Sequence, residues 1–523
     1  MSAVPSDIQA VDRVTSSNEP GHWLPAEGAP WSLTFTIWPH AEAQRWRALL
    51  AVSSSGLYAL MCDRPLDPML VERVESKVQR SVRWVVCDGA AVANWLKSSA
   101  ANFRALDEIG PSFSAASASS DAVELSALQL SEQASPLVRL LDSTLYDALH
   151  DGASDVHLES TLHGLRLRYR VDGVMLDIRD VEGTVVAEQI VSRLKVMAEL
   201  DIGERRLPQD GRFRLRMQGR EIDFRLSVMP TAFGEDAVIR VLDRGRIAED
   251  GQLTLESLGF DDHSRRAIHR LARQPYGMFL VCGPTGSGKT TTLYAAISET
   301  NDGSDKIITI EDPVEYQLAG TVQIPVNEKK GLTFARGLRS VLRHDPDRVM
   351  VGEIRDPETA QIAVQAALTG HLVFSTVHAN SAFDVIGRFM HMGLDLYNVA
   401  SALNAVMAQR LMRTICPHCA RPCMPPTDLL LRLGIDPQLR HAYARGTGCA
   451  SCHRTGYKGR TAMMEMLAFD DDLRDLVVSR APMGRLKQVA RERGMTALRD
   501  AAIAAVCRGV TTFEELERVT LAD

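Results

Sequence analysis

The fold of this chain is decided by one stretch of sequence, GPTGSGKT at residues 283–290. It matches the pattern G-x-x-x-x-G-K-[ST] and lies between an apolar run, Met278–Cys282, and a helix-like stretch, Thr291–Glu299. Its glycines allow several backbone N–H groups to point at one anion, and the start of a helix adds positive potential there. A glycine-rich turn with a chance lysine is the alternative, but the flanking strand and helix favour a phosphate-binding loop.

The residues of this loop have individual predicted roles. Lys289 is expected to reach the β- and γ-phosphates of a nucleotide, and the Thr290 hydroxyl is expected to ligate Mg²⁺. The predicted nucleotide contacts within and next to the loop are Gly283, Pro284, Thr285, Gly286, Ser287, Gly288, Lys289, Thr290 and Thr291.

Short apolar runs without alternation occur before and after the loop. They are Met278–Cys282, Ile307–Ile310, Val349–Val351 and Leu372–Ser375. Runs of this kind are typical of strands that are buried on both faces of a parallel sheet covered by helices. The sequence therefore predicts an α/β core around the phosphate loop.

Acidic residues follow two of these strands, and parallel strands bring their carboxyl ends to one edge of a sheet. Glu311, Asp312 and Glu315 follow the first strand, and Glu353 follows the second. Any one of them could be a solvated loop acid, but two clusters behind a phosphate loop favour the carboxylates that hydrolysis requires. Glu311 and Asp312 are added to the nucleotide contacts. His378 ends a third strand at the same edge and is expected to contact the γ-phosphate.

Two C-x-x-C pairs predict a metal site. They consist of Cys416, Cys419, Cys449 and Cys452. Two such pairs complete a tetrahedral Zn²⁺ site, and thiols of a cytoplasmic protein are normally reduced, which argues against disulfides. A thioredoxin-like redox motif fits poorly because the pairs are doubled. Cys423 and His418 lie nearby and compete as ligands.

Composition limits the classes of function. The 523 residues include 59 Lys and Arg against 66 Asp and Glu, which gives a net charge of −7. This balance argues against a protein that coats nucleic acid with its whole surface, although it allows a local basic patch. The sequence has no run of about 18 apolar residues and no signal-peptide pattern, so a cytoplasmic protein is expected.

Changes of pattern along the chain predict seven segments. They are a flexible tail (1–30), a small N-terminal α/β domain (31–105), a linker (106–134), a second α/β domain (135–245), the phosphate-loop core (246–415), a four-cysteine zinc subdomain (416–465) and a helical C-terminal domain (466–523). The Ser/Ala-rich stretch 111–121 could instead be a surface loop within one domain. Thr512 and Glu515 predict a capping box that starts the last helix.

Four motifs in this order resemble the secretion ATPases of type II secretion and type IV pilus assembly, the GspE/PilB-like family. The motifs are the phosphate loop as Walker A, TIEDPVEY (309–316) as the Asp box, DPDRVMVGEIRD (345–356) as Walker B and TGHLVFSTVHAN (369–380) as the His box. The resemblance extends from about residue 137 to the C-terminus and includes ASDVHLE (153–159) and LPQDGR (207–212). It implies a RecA-like ATPase core, a PAS-like fold for the preceding α/β domain (135–245) and a docking role for the N-terminal domain (31–105).

The resemblance also implies roles for individual residues. Glu315 would polarise the attacking water, and Glu353 would support Mg²⁺ and water placement. Arg225 and Arg240, on strands of the upstream domain, match arginines that swing onto the nucleotide, with Arg212 as a further candidate. A planar guanidinium on a mobile domain can neutralise transition-state charge when that domain closes, although an exposed sheet face is the simpler interpretation.

The implied function is that of a cytoplasmic homohexamer that uses ATP and Mg²⁺, carries structural Zn²⁺, and lies at the inner membrane through its partners. Those partners would be a platform protein in the membrane and a cytoplasmic docking protein of a secretion or pilus machine. The four-cysteine loop favours the export or assembly branch over retraction ATPases. Two alternatives are a nucleic-acid motor, which the acidic balance disfavours, and a regulatory subunit without turnover, which the acidic residues disfavour. No direct nucleic-acid binding is expected.

Overall fold

The computed structural model describes residues 31–34, 37–38, 40–53, 56–64, 67–87, 89–90, 92–93, 96, 124–125, 136–217, 220–243, 253–439 and 441–520. The chain divides into two compact units, residues 1–245 and 246–523. The predicted flexible tail lies outside the described residues, and so does most of the predicted linker. The finer domain boundaries stay predictions.

The first unit begins with a small four-stranded sheet. Its elements are β1 (Trp31–Leu33), α1 (His40–Trp46), β2 (Ala48–Ser53), β3 (Tyr58–Cys62), α2 (Pro68–Val78) and β4 (Val82–Val86). The strands are antiparallel in the order β1-β2-β3-β4, except that β3 and β4 are parallel. Helix α2 begins where the Asp67 side chain accepts a hydrogen bond from the N–H of Met69, with Pro68 in the first turn.

The first unit also contains a seven-stranded sheet with two packed helices. Its elements are β5 (Glu124–Leu125), α3 (Pro136–His150), β6 (Ala153–Thr161), β7 (Gly164–Val171), β8 (Val174–Glu182), α4 (Thr184–Met197), β9 (Gln209–Met217), β10 (Arg220–Thr231) and β11 (Gly234–Leu242). The strand order is β5-β9-β10-β11-β6-β7-β8. Alternate apolar side chains of the strands pack with both helices into one core, so the intervening side chains lie on the opposite face.

The second unit contains the phosphate loop and a second seven-stranded sheet. Its first elements are α5 (Asp262–Ala272), β12 (Gly277–Cys282), α6 (Lys289–Thr300), β13 (Ile307–Glu311), β14 (Thr321–Pro325), α7 (Phe334–Val341), β15 (Arg348–Val351), α8 (Pro357–Leu368), β16 (Leu372–Val377), α9 (Ala382–His391), α10 (Leu396–Ala402) and β17 (Leu403–Ile415). The later elements are β18 (Ala420–Pro422), α11 (Thr427–Arg432), β19 (Ala444–Gly446), β20 (Tyr457–Ala468), α12 (Asp471–Val478), α13 (Met483–Glu492), α14 (Leu498–Cys507) and α15 (Phe513–Val519).

The strand order of this sheet is β14-β13-β15-β16-β12-β17-β20. All neighbouring strands are parallel except β17 and β20. Every residue of β12, β13, β15 and β16 is buried. The prediction of a parallel sheet buried on both faces is therefore confirmed, and it places the carboxyl ends of these four strands at one edge.

The last helix begins at the predicted position but uses only part of the predicted capping box. The Thr512 side chain accepts a hydrogen bond from the N–H of Glu515. The fully buried carboxylate of Glu515 instead accepts from Arg413 at 2.8 Å and from Arg518 at 2.5 Å. Its charge therefore ties β17 to the last helix. No helix among the described residues is long and apolar enough to cross a membrane.

Candidate active site and metal centre

The phosphate loop follows directly from β12 and has the backbone conformation that its glycines allow. Gly283, Gly286 and Gly288 have φ angles of 153°, 77° and 81°. A Cβ atom on Gly283 would also lie 2.5 Å from the Gln409 carbonyl oxygen and 2.6 Å from the Ser287 hydroxyl. Larger residues are therefore excluded at this position by both conformation and space. The tip of the loop, residues 284–286, is exposed.

Lys289 opens helix α6 and turns its side chain back across the loop. Its ammonium group donates hydrogen bonds to the carbonyl oxygens of Gly283 at 3.0 Å and Pro284 at 2.9 Å. Burial lowers the pKa of Lys289, and the nearby carboxylate of Glu353 opposes that shift. The lysine is thus held under the loop with a carboxylate from the edge of the sheet beside it. Thr290 and Thr291, the next two predicted contacts, are partly buried in the same turn.

Glu353 lies two residues beyond β15 and is the centre of a charged cluster. One of its oxygens is 2.5 Å from the Arg355 guanidinium, and the other is 3.4 Å from Nε2 of His378. The hydrogen bond with Glu353 raises the pKa of Arg355. Burial, reinforced by the charge of Lys289, lowers the pKa of His378. The structure therefore brings the predicted residues Lys289, Glu353 and His378 together and adds Arg355, which the sequence reasoning did not single out.

Glu311 lies in a different environment from the one predicted for it. It is the last residue of β13 and is only 2 % exposed. The Tyr294 hydroxyl donates to one carboxylate oxygen, while the Thr309 hydroxyl at 2.5 Å and the Gln323 amide at 3.2 Å donate to the other. Both oxygens are thus engaged inside the sheet and against α6. These bonds hold the Glu311 carboxylate within the fold, and its predicted nucleotide contact stays a prediction.

The other acidic residues after β13 are less enclosed. Asp312 is exposed, and Glu315 is partly buried. The backbone N–H of Glu315 donates to the Tyr294 hydroxyl at 3.4 Å, so the same tyrosine contacts both Glu311 and the segment that carries Glu315. The predicted roles of Asp312 and Glu315 stay predictions.

Two residues of β17 contact the phosphate loop and were missed in the sequence. The amide of Gln409 donates to the Ser287 carbonyl at 2.8 Å, and its own oxygen is buried with no hydrogen-bond partner among the described residues. Arg410 donates to the Asn380 carbonyl at 2.9 Å and lies beside Gly283. Burial lowers the pKa of Arg410. No local motif marks this pair, because only the pairing of β17 with β12 brings it to the loop.

The predicted arginines lie in one row of the first unit's large sheet. Arg225 on β10 is directly opposite Arg212 on β9 and Arg240 on β11. The residues flanking Arg225, which are Phe224 and Leu226, are buried, so the arginine row lies on the face away from α3 and α4. Arg212 and Arg225 have no ion-pair partner among the described residues. Like charges directly opposite one another destabilise a sheet, so this row favours an anionic ligand.

The four cysteines of the two C-x-x-C pairs lie together. Their sulfur atoms are all within 4.8 Å of one another. The separations Cys416–Cys449 and Cys419–Cys452 are both 3.8 Å, and Cys449–Cys452 is 3.7 Å. A tetrahedron with Zn–S bonds of about 2.3 Å has edges of about 3.8 Å, so this donor set fits zinc.

The surroundings of the cluster distinguish the four predicted cysteine ligands from the two competing residues. The backbone N–H groups of Cys449 and Gly456 donate to the Cys452 sulfur at 3.2 and 3.3 Å. Burial raises the pKa of Cys452, but these donors outweigh it and bring the pKa to about 7. Cys423 packs instead in an apolar cluster with the C-terminal helices, and His418 is exposed. Neither competitor is part of the four-sulfur group.

The family model described as "Type II/IV secretion system protein" matches residues 130–518. The chain is 44% identical over 431 residues to the type II secretion system protein E of Pseudomonas aeruginosa, which covers 82% of this chain and 85% of that protein. The chain belongs to the type II/IV secretion system protein family. It is also 45% identical over 392 residues to the type IV pilus assembly ATPase PilB of Myxococcus xanthus, with coverage of 74% and 68%.

Solved structures agree on the fold. The X-ray structure of the Legionella pneumophila ATPase DotB matches with a TM-score of 0.53 and 20% identity, over 72% of this chain and 94% of that chain. The family model and the two relatives confirm the predicted resemblance to the GspE/PilB-like family, and the shared fold confirms the predicted RecA-like core with its preceding α/β domain. As a member of this family the chain is a nucleotide-binding ATP hydrolase, and its cysteine cluster is compatible with zinc.

Proposed function

We propose that this chain is a cytoplasmic, homohexameric ATPase that powers type II protein secretion or type IV pilus assembly through an inner-membrane platform protein. The observation that carries the proposal is the cluster of Lys289, Glu353 and His378 beside the phosphate loop. It joins a phosphate-binding cation to a partly buried carboxylate at the sheet edge where ligands of such folds bind. The type of machine, for secretion or pilus assembly, is inferred from the family.

Within this site each residue has a proposed task. Lys289 and the loop N–H groups bind the β- and γ-phosphates, and the Thr290 hydroxyl ligates Mg²⁺, which neutralises charge that develops on the phosphates. Glu353 orients water and supports the metal, and Glu315 polarises the attacking water. His378 contacts the γ-phosphate as a neutral imidazole, which its lowered pKa favours.

We also propose that the arginine row couples ATP hydrolysis to movement of the first unit. Arg225 and Arg240, with Arg212 beside them, contact the nucleotide when the first unit closes on an ATPase core, and hydrolysis releases them. The row supports this because its three arginines stand opposite one another on adjacent strands, and two of them, Arg212 and Arg225, have no ion-pair partner among the described residues. Rigid-body closure of this kind couples a local charge change to a large displacement.

Phosphate release tests the enzymatic part of the proposal. Lys289→Ala is expected to abolish turnover, whereas Lys329→Ala, which changes an exposed lysine of the same unit, keeps it. Equal rates in wild type and Lys289→Ala would contradict the proposed site. Native mass spectrometry with ATP tests the hexamer. Strong, salt-dependent stimulation by DNA would support a nucleic-acid motor instead, which the comparisons do not favour.

The machine is tested in cells. A deletion strain is complemented with wild type or Glu353→Gln, and surface pili and exported proteins are both scored. Loss of one output with Glu353→Gln identifies the machine, and loss of neither contradicts the proposed role. Co-purification of the platform protein with wild type but not with a chain lacking residues 1–105 would test the docking domain.

We propose Zn²⁺ as the occupant of the four-cysteine cluster, where it would tie the two C-x-x-C pairs together. The matched sulfur distances carry this proposal. Metal analysis of the purified chain is expected to find one zinc per protomer, lost in Cys452→Ser and kept in Cys423→Ser. Equal zinc content in the two variants would contradict the assignment.

A further inference from the structure

One acidic residue interrupts the row of arginines on the large sheet of the first unit. The register places five residues opposite one another on neighbouring strands, in the order Arg212, Arg225, Arg240, Asp155 and Arg170. Asp155 therefore has an arginine on each side, one from β11 and one from β7. It belongs to the ASDVHLE motif, to which the site described above assigns no task.

Asp155 is well enclosed, and both of its oxygens are used. The residue is only 8 % exposed. One oxygen accepts a hydrogen bond from Nε of Arg240 at 3.0 Å, and the other accepts from the Ser154 hydroxyl at 2.8 Å. Nε of Arg170 lies 3.8 Å from the second oxygen. The carboxylate is thus held in place by its own neighbours.

The consequence for Arg240 is a fixed orientation with an accessible end. Its side chain is 55 % exposed, and its terminal amino groups have no hydrogen-bond partner among the described residues. Because a guanidinium is planar, a bond that fixes Nε also fixes the plane in which the two terminal groups donate. Arg225 differs, since no described ion pair orients it.

We propose that Asp155 is a positioning residue that presents the terminal N–H groups of Arg240 to a nucleotide phosphate. This inference rests on the proposed function, in which Arg240 contacts the nucleotide. Because Asp155 already orients the Arg240 side chain, less conformational entropy is lost when that side chain contacts the phosphate. The negative charge also reduces the repulsion between Arg240 and the neighbouring arginines of the row.

ATP turnover of the full chain tests the inference through a double-mutant cycle. Asp155→Ala is expected to lower turnover about tenfold, mainly in kcat, since misplacing a group by about 1 Å can cost up to about 100-fold. In an Arg240→Ala background the same change is expected to have no further effect. Asp155→Asn, which keeps an oxygen for Nε, is expected to retain more turnover than Asp155→Ala.

A matched control comes from the same face of the sheet. Asp223 accepts a hydrogen bond from Arg214 at 2.8 Å but lies outside the row, so Asp223→Ala is expected to leave kcat unchanged. An equal loss in Asp223→Ala would show that any ion pair of this face suffices and would overturn the inference. Melting temperatures of all variants identify losses that come from unfolding.

The possible failures are distinguishable. If Arg240→Ala keeps wild-type turnover, the proposed role of Arg240 fails and the positioning of Arg240 fails with it. If Arg240→Ala loses turnover but Asp155→Ala does not, only the role of Asp155 is overturned. If Asp155→Ala lowers turnover equally with and without Arg240, Asp155 does not act through that arginine, and the inference is likewise overturned.

Discussion

Glu311 ends β13 and Glu353 follows the neighbouring parallel strand β15, but their carboxylates have opposite surroundings. The described hydrogen bonds to Glu311 all come from neutral groups, among them the hydroxyl of Tyr294, and the residue is closed off from solvent. Glu353 instead faces the cations Lys289 and Arg355 and is partly exposed. A carboxylate saturated by neutral donors stabilises the fold, whereas one that is open to cations can serve a reaction.

The largest expected effect is on turnover at Glu353. Glu353→Gln is expected to lower kcat about 1,000-fold while nucleotide binding persists, because the change removes a charge that acts on water and metal. Glu311→Gln makes the same chemical change at the end of the neighbouring strand and is expected to lower kcat far less. Steady-state phosphate release and binding of a fluorescent ATP analogue measure both. Equal losses of kcat in the two variants would show that the two carboxylates do not differ in their roles.

The next effect is on stability at Glu311. Glu311→Ala is expected to lower the free energy of unfolding by about 3 kcal/mol, because three buried donors lose their acceptor. Denaturant unfolding measures this, with Glu328→Ala as an exposed control. Wild-type stability of Glu311→Ala would show that these buried bonds contribute nothing.

A smaller effect is expected at the tyrosine that contacts Glu311. Burial, together with its hydrogen bond to Glu311, raises the pKa of Tyr294, so the phenol stays protonated and donates. Tyr294→Phe is expected to cost about 1 kcal/mol of stability, since one hydrogen bond is lost. In a Glu311→Ala background the cost is expected to shrink, because the two residues share that bond. Strictly additive losses of stability in the double variant would show that the two residues do not stabilise the fold through a shared hydrogen bond.

The smallest expected effect is a pH dependence of stability that comes from His378, the histidine beside Glu353. The pKa of His378 is lower in the folded chain than in the unfolded chain, so the unfolded state binds more protons as pH falls. Wild type is therefore expected to lose more stability than His378→Asn when the pH is lowered from 8 to about 6, below the ordinary His pKa of about 6.5. Melting temperatures at both pH values test this, and His344→Asn, at an exposed histidine, serves as control. Equal acid losses in wild type and His378→Asn would refute it.

The sequence predicted Glu311 and Glu353 as one class because each follows an apolar run by a short distance. It did not show that β13 extends one residue further than its apolar run and includes Glu311. A residue inside a strand takes the direction that the pleat imposes, and here that direction leads to α6. Glu353 lies beyond β15, where the chain has left the sheet and can turn its side chain toward the loop. The capping box formed only in part for a related reason, since the Glu515 carboxylate pairs with Arg413 from a distant strand.

The sequence by itself determined the phosphate loop, the four-cysteine cluster and the buried parallel strands. These features depend on spacing within a few residues or on the apolar character of a single strand, and local chemistry suffices for both. Only the tertiary structure decided that Gln409 contacts a loop residue 122 positions earlier, that the arginines form one row, and that Asp155 holds Arg240. Those contacts follow from which strands become neighbours and in which register, and strand pairing joins residues whose separation along the chain carries no local signal.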